Sequence, residues 1–167
     1  MSDDYSLTCR SASAISYVPV SDARRAEGHA KIVADDRDWA SEAAKAKLGM
    51  RQRLKSELQE ARDEAVALGE PALSQRAEEA CMRLAEPVIA AAIWKSYLAV
   101  SASSTNEGGS ILMVENRSHR RRVTIAISHD GRGGVVMQMG DDGRPVRDAS
   151  LPDDVQVQEL LSWISRP

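Results

Sequence analysis

The sequence predicts an α+β fold: a long antiparallel helical hairpin, then a three- or four-stranded antiparallel β-meander, then a C-terminal helix. Three observations carry that prediction. Apolar and small residues recur every three or four positions between Trp39 and Leu98, with one break at Gly69-Glu70-Pro71. Beyond residue 110 the apolar period switches from helical to twofold. Near the C-terminus, Ser150-Leu151-Pro152-Asp153 offers a cap ahead of a renewed helical stripe. Helices, then a run of short strands, then a helix is an α+β order, not the regular alternation that builds a parallel sheet.

In chain order, residues 1–20 are polar and weakly patterned and are expected to form a disordered or extended arm. Ile15–Val20 is compatible with a short strand, which Pro19 would confine to an edge. The remainder, 21–167, is expected to be one domain: helical over 21–103, meander over 110–148, helical over 152–165. Ser21-Asp22 can cap a first helix, and Asp35-Asp36 offer a second cap, so residues 22–68 make either one helix or two.

The first arm has one apolar face: Trp39, Ala43, Ala46, Met50, Leu54, Leu58, Ala61, Ala65 and Leu68. At ~1.5 Å per residue that seam is about 45 Å long. Such a helix needs a partner for its stripe, because propensity alone does not hold it. The second arm supplies one with Leu73, Ala77, Ala80, Leu84, Val88, Ala91 and Leu98. Gly69 can take the left-handed conformation that closes a helix, and Pro71 suits the first position of the next. Leu54, Leu58, Leu84 and Val88 are therefore expected to be buried. Pro87 predicts a kink in the second arm.

Ser101–Ser110 reads as a loop by composition. Ile111–Asn116 reads as a strand covered on both faces. Arg122–Ser128 alternates, with Val123, Ile125 and Ile127 on one side. Val135, Met137 and Met139 are expected to share a face of the next strand, and a short fourth strand is expected near 144–147. Asp130-Gly131 and Asp142-Gly143 are hairpin-turn dipeptides. Val157, Leu160, Leu161 and Ile164 form the stripe of the last helix.

Composition narrows the class. The chain has 167 residues, a formal charge of −3 and no Phe, so aliphatic residues carry the core, with Trp39, Trp94 and Trp163 expected as its bulky members. The negative balance argues against a general polyanion binder but leaves room for a local basic patch. Cys9 and Cys81 fit neither a metal spacing nor a redox motif, which suits free thiols in a reducing cytosol. The acidic N-terminus lacks a secretory core, and Val88–Val100 is too short to span a bilayer and is interrupted by Lys95, so a cytoplasmic protein with no membrane partner is expected. Lysine occurs only at 31, 45, 47, 55 and 95. That arginine-heavy usage suits a GC-rich bacterial or phage genome. Asn116-Arg117-Ser118 matches a glycosylation sequon and is read as chance.

The search for chemistry is mostly negative. There is no phosphate-binding glycine loop ahead of a helix, no dinucleotide fingerprint and no zinc-protease motif, and no cofactor is expected. Gly131-Arg132-Gly133-Gly134 joins two strands and reads as a hairpin loop. His29, His119 and His129 are scattered. One local cluster stands out, Arg117-Ser118-His119-Arg120-Arg121-Arg122, in which Arg117, His119, Arg120 and Arg122 are the candidates for binding nucleic acid or another anion. Strand alternation places Arg120 with Arg122 on the open face and Arg121 at the rim of the core. The competing account is a charged hairpin that discourages sheet-to-sheet pairing, and no base-stacking aromatic residue accompanies the arginines in sequence.

These readings favour a non-enzymatic intracellular regulator, an inhibitor or adaptor, that binds another protein or a second copy of itself through the hairpin and small sheet. Nucleic-acid binding by the arginine hairpin is the alternative. In layout alone the chain is similar to small bacterial toxin ribonucleases of the RelE/ParE kind, which would imply a ribonuclease; its helices are much longer and no catalytic motif accompanies them.

Overall fold

A computed structural model describes residues 22–140, 145–148 and 150–166, with the backbone alone at 22–37 and 145–148. The expected arm at 1–20, with Cys9, and the Asp142-Gly143 turn lie outside the described residues. The chain divides into two units, 1–39 and 40–167, and the packing described below is that of the second.

Eight elements follow in order: α1 (Asp22–Leu68), α2 (Gln75–Trp94), β1 (Leu98–Ser104), β2 (Ser110–Asn116), β3 (Arg121–Ile127), β4 (Gly134–Met139), β5 (Pro145–Asp148) and α3 (Asp154–Ile164). The layout is α+β, as the sequence predicts. Because α1 runs uninterrupted from Asp22, Asp35 and Asp36 are interior helix positions and not a second cap.

The hairpin turn forms where the break in periodicity places it. Gly69 sits at φ 72. Its N–H donates to Val66 O and that of Glu70 to Ala65 O, a double closure of the last turn of α1. Pro71, however, does not open the next helix. The chain stays outside any helix through Leu73, and α2 begins after Ser74, whose hydroxyl accepts from the Ala77 N–H at 3.1 Å. A side-chain cap satisfies one orphan helix donor, so Ser74 outcompetes Pro71 as the start signal. The arms run antiparallel: Arg62 pairs with Glu78 near the turn, while Lys47 and Arg51 pair with Glu86 farther along. Pro87 lies within α2, which continues to Trp94.

Among the described residues the sheet has five antiparallel strands in sequence order. The added strand is β1, which the composition of residues 101–110 reads as loop and the domain division reads as helix. Ser101, Ala102, Ser103 and Ser104 have weak strand propensity. Pairing with β2, from Leu98 opposite Asn116 to Ser104 opposite Ser110, overrides it. The expected short fourth strand is β5.

α2 and α3 lie on one face of the sheet. Leu98 and Val100 of β1, Leu112 and Val114 of β2, Val123, Ile125 and Ile127 of β3, and Val136 of β4 point into that layer and are buried. Leu54 and Leu58 of α1, Leu84, Val88 and Ile89 of α2, and Val157, Leu160, Leu161 and Ile164 of α3 close the same core. Leu54, Leu58, Leu84 and Val88 are all buried, as the seams predict. β2 is covered on one face only, its burial alternating along the strand. Val135, Met137 and Met139 share one side of β4, as the alternation predicts, and that side faces away from the helices. Ile125 pairs with Val136, so Val136 faces the helices. Adjacent valines at 135 and 136 permit either parity, and the 128–133 turn selects one. The tryptophans do not form the core either: Trp39 and Trp94 are 55 % and 61 % exposed, and only Trp163 packs against it.

α1 also seals the free edge of β1. Arg53 Nη2 donates to Val100 O, Glu57 accepts from the Ala102 N–H at 2.8 Å, and Ser104 Oγ donates to Ala61 O at 3.3 Å. Arg53 and Glu57 are themselves paired at 3.3 Å. An unpaired strand edge is a template for aggregation, and here helix side chains occupy its outward groups. At the other end of the chain, Asp153 and Gln156 form the capping box of α3 that the 150–153 signal anticipates.

Candidate functional site

The arginine cluster is divided by the fold, and each part has a different environment. The β2–β3 turn comprises residues 117–120. Asn116 organises it from beneath. Its Oδ1 accepts from the N–H groups of Ser118 and His119 at 2.9 and 3.2 Å, and its Nδ2 donates to Ile164 O at 2.7 Å. Asn116 is fully buried, which agrees with reading the sequon as chance. The turn is thereby tied to the C-terminal end of α3. The Arg117 N–H donates to Tyr97 O, which ties it also to the segment leaving α2.

Arg121 opens β3 on the core side, as alternation predicts. Its guanidinium donates to Trp163 O at 3.3 Å and Arg166 O at 2.9 Å, and lies 5.7 Å from the Trp163 ring centroid. A cation beside the last carbonyls of a helix complements the helix dipole, so Arg121 is an anchor for α3. Arg122 faces the other side and pairs with Glu115 at 3.1 Å. Arg120 does not continue the strand. It occupies the turn at φ 50, so Arg120 and Arg122 do not share a strand face as expected. Arg117 and Arg120 are exposed at the tip and His119 is half-buried.

Other groups converge on this end of the sheet. α2 stops at Trp94, and Lys95 reaches across to α3, its Nζ donating to Ser165 Oγ at 2.9 Å. Arg166 follows directly. Three basic segments that are remote in sequence, at 95, 117–121 and 166, thus meet at one end, with Trp94, Tyr97 and Trp163 among them. Next to Trp163 and Arg166 a groove of about 460 Å³ runs between β4 and α3, also lined by Val136, Gln138, Pro152 and Gln156. The aromatic neighbours absent from the local sequence are supplied by α2 and α3, and no short motif could have shown them.

The second surface is the sheet face turned away from α2 and α3. Strand register arranges it in rows: Ser103, Ile111, Ala126 and Val135; then Ser101, Met113, Thr124 and Met137; then Ala99, Glu115, Arg122 and Met139. All of these are half-exposed except Val135, which is exposed. Among the described side chains, its one charge pair is Glu115–Arg122.

Elsewhere the chemistry is structural. Burial pushes the Cys81 thiol up to about 11, only partly opposed by a hydrogen bond with Ser110, which makes it a poor nucleophile. Asp130 is lowered to about 2, first by the Ser128 hydroxyl at 2.6 Å and then by the Arg132 N–H at 3.0 Å. Both contacts brace the glycine-rich 128–133 turn, which is a hairpin loop as read. Gly131 has φ 71, and a Cβ there would lie 2.5 Å from Arg76 O, so this turn sits directly on the start of α2. Across that junction the Ser74 hydroxyl donates to His129 O. Among the described residues, no group of three or more His, Cys, Asp or Glu side chains is placed to hold a metal ion. No helix among them is long and apolar enough to cross a membrane.

No protein-family model, curated protein or solved structure matches this chain.

Proposed function

We propose that the protein is a non-enzymatic binding protein, an adaptor or inhibitor, whose open sheet face grips another protein. The observation that carries this reading is the composition of that face. Ile111, Met113, Val135, Met137 and Met139 stand on paired strands, separated by the small residues Ala126 and Thr124, on the side that α2 and α3 leave uncovered. A contiguous apolar surface of this kind is a recognised mark of a contact site. Methionine is the adaptable member of such surfaces, since its unbranched chain and polarizable sulfur fit varied partners. Among the described side chains of this face, Glu115 and Arg122 pair with each other, so their charges are matched within the face.

The test is photocrosslinking from a benzophenone amino acid placed singly at Met113 or Met137, with Lys55 of α1 as the control position. In extract of the native host, the two sheet positions should yield the same discrete adduct and Lys55 should not. The Met137→Asp substitution should remove the adduct formed from position 113 while leaving the far-ultraviolet circular dichroism unchanged. Light scattering on the purified chain reports whether the partner is a second copy. Adducts that form equally from Lys55, or none from either sheet position, would refute the reading.

A further inference from the structure

We infer a second binding surface, for single-stranded nucleic acid, at the end of the sheet where α2, the β2–β3 turn and α3 meet. It is distinct from the open face in position and in chemistry. The cations are Arg117, Arg120, Lys95 and Arg166, with His119 in the same turn, contributed by three separate segments and held together by the Arg117–Tyr97, Asn116–Ile164 and Lys95–Ser165 hydrogen bonds. Arg121 is committed to the α3 carbonyls and Arg122 to Glu115, so neither is assigned to the ligand.

Two carboxylates, Glu115 and Glu159, lie near this charge. Glu115 points to the open face in its pair with Arg122. Glu159 lines the same groove as Trp163 and Arg166, on the α3 side of this end, and is not ion-paired with the tip arginines 117 and 120. Arg117 and Arg120 have no ion-pair partner among the described residues, in contrast to Lys47, Arg51 and Arg62 between the arms of the hairpin.

Two features select a single strand over a duplex. Trp94 is 61 % exposed and directly precedes Lys95 in the chain. Three residues on, the Tyr97 backbone carbonyl accepts from the Arg117 N–H, so the backbone of this residue borders the turn that carries the arginines. Aromatic rings beside a basic track are how proteins hold unpaired bases without reading sequence, because every base has a face to stack. The cationic element is also a four-residue turn, not a helix or ribbon shaped for a major groove. A short strand can lie with its phosphates along Arg117, Arg120 and Arg166 while a base stacks on Trp94.

The experiment is fluorescence anisotropy with a labelled 20-mer of dT and one of rU, titrated with the full chain from low to physiological salt. Wild-type protein should bind both at low salt and bind a 20-base-pair duplex of mixed sequence more weakly. Replacing Arg117 and Arg120 together with Ala should lower affinity and reduce the slope of log K against log salt by about 1.4, two phosphates at ~0.7 each. Trp94→Ala should weaken binding about 5- to 100-fold with an unchanged salt slope, the signature of lost stacking. A control pair, Lys45→Ala with Lys55→Ala, removes equal charge from α1 and should change nothing. The inference is overturned by any of these: no binding at low salt, an equal loss in the control pair, no effect of Trp94→Ala, or preference for the duplex or for anionic phosphatidylserine vesicles.

Discussion

Asn116 is the side chain on which the β2–β3 turn and the end of α3 both depend. It satisfies two turn amides and the Ile164 carbonyl from a fully buried position. Asn116→Ala strands those three groups, and leaving buried polar groups unpaired costs roughly 1–3 kcal/mol. Urea melts should show a loss in that range, whereas a loss below ~0.5 kcal/mol would mean that water replaces the amide without penalty. Asp130 gives a residue-scale pH test. Its pKa is lowered in the folded chain to about 2 by the Ser128 hydroxyl and the Arg132 N–H, against a free value of ~3.9. The contribution is therefore complete above the unfolded pKa and disappears as pH falls through the folded one. The difference in urea midpoint between wild type and Asp130→Asn should hold steady above pH 5 and shrink between about pH 4 and 2. A difference that is flat across that window would show that Asp130 titrates normally. Neither role was legible in sequence. Asn116 presents a sequon, and its main partner lies 48 residues away.

At the scale of elements, the two arms of the hairpin are the part that sequence reads best, because a helix writes its buried face locally at every third or fourth residue. Leu58 illustrates it. It is 1 % exposed and belongs to the common core. Leu58→Ala should cost ~2–5 kcal/mol in urea unfolding, and a loss below ~0.5 kcal/mol would place the side chain outside a packed site. β1 illustrates the reverse. Its serines and alanines carry no strand signal, and the strand exists because β2 pairs with it and α1 seals its other edge. Glu57→Ala opens that seal by freeing the Ala102 N–H and the Arg53 guanidinium. The expected loss is about 1 kcal/mol, since the groups are half-exposed and water partly replaces them. The more diagnostic change is association: turbidity on mild heating should rise for Glu57→Ala and remain low for Glu60→Ala, which is also on α1. Equal turbidity in the two variants would show that the β1 edge is protected by something other than these side chains.

For the whole molecule, the sequence locates the arginine cluster but not the surface it serves. A run of basic residues is visible in one dimension. Its division into α3 anchor, open-face ion pair and exposed tip is not, nor is the convergence of Lys95, Trp94 and Arg166 from other elements. The same holds for the apolar face: the alternation of β4 is readable, but adjacent valines leave its parity to the turn. The fold thus carries two surfaces of unlike chemistry, and their independence can be predicted. The row Ser101, Met113, Thr124 and Met137 lies two residues inside the row that ends at Glu115 and Arg122, about 7 Å along the strands. Arg117 and Arg120 lie beyond that outer row, in the turn. Sites so separated, with no common partner, are expected to act additively to within ~0.5 kcal/mol. Met137→Asp should therefore abolish the protein adduct and leave oligonucleotide affinity within about twofold. Arg117→Ala with Arg120→Ala should do the opposite. In the combined variant both losses should appear at the size seen separately. If Met137→Asp instead weakens oligonucleotide binding more than about fivefold, the open face and the basic end form one continuous site, with the Glu115–Arg122 pair as the bridge between its apolar and cationic halves.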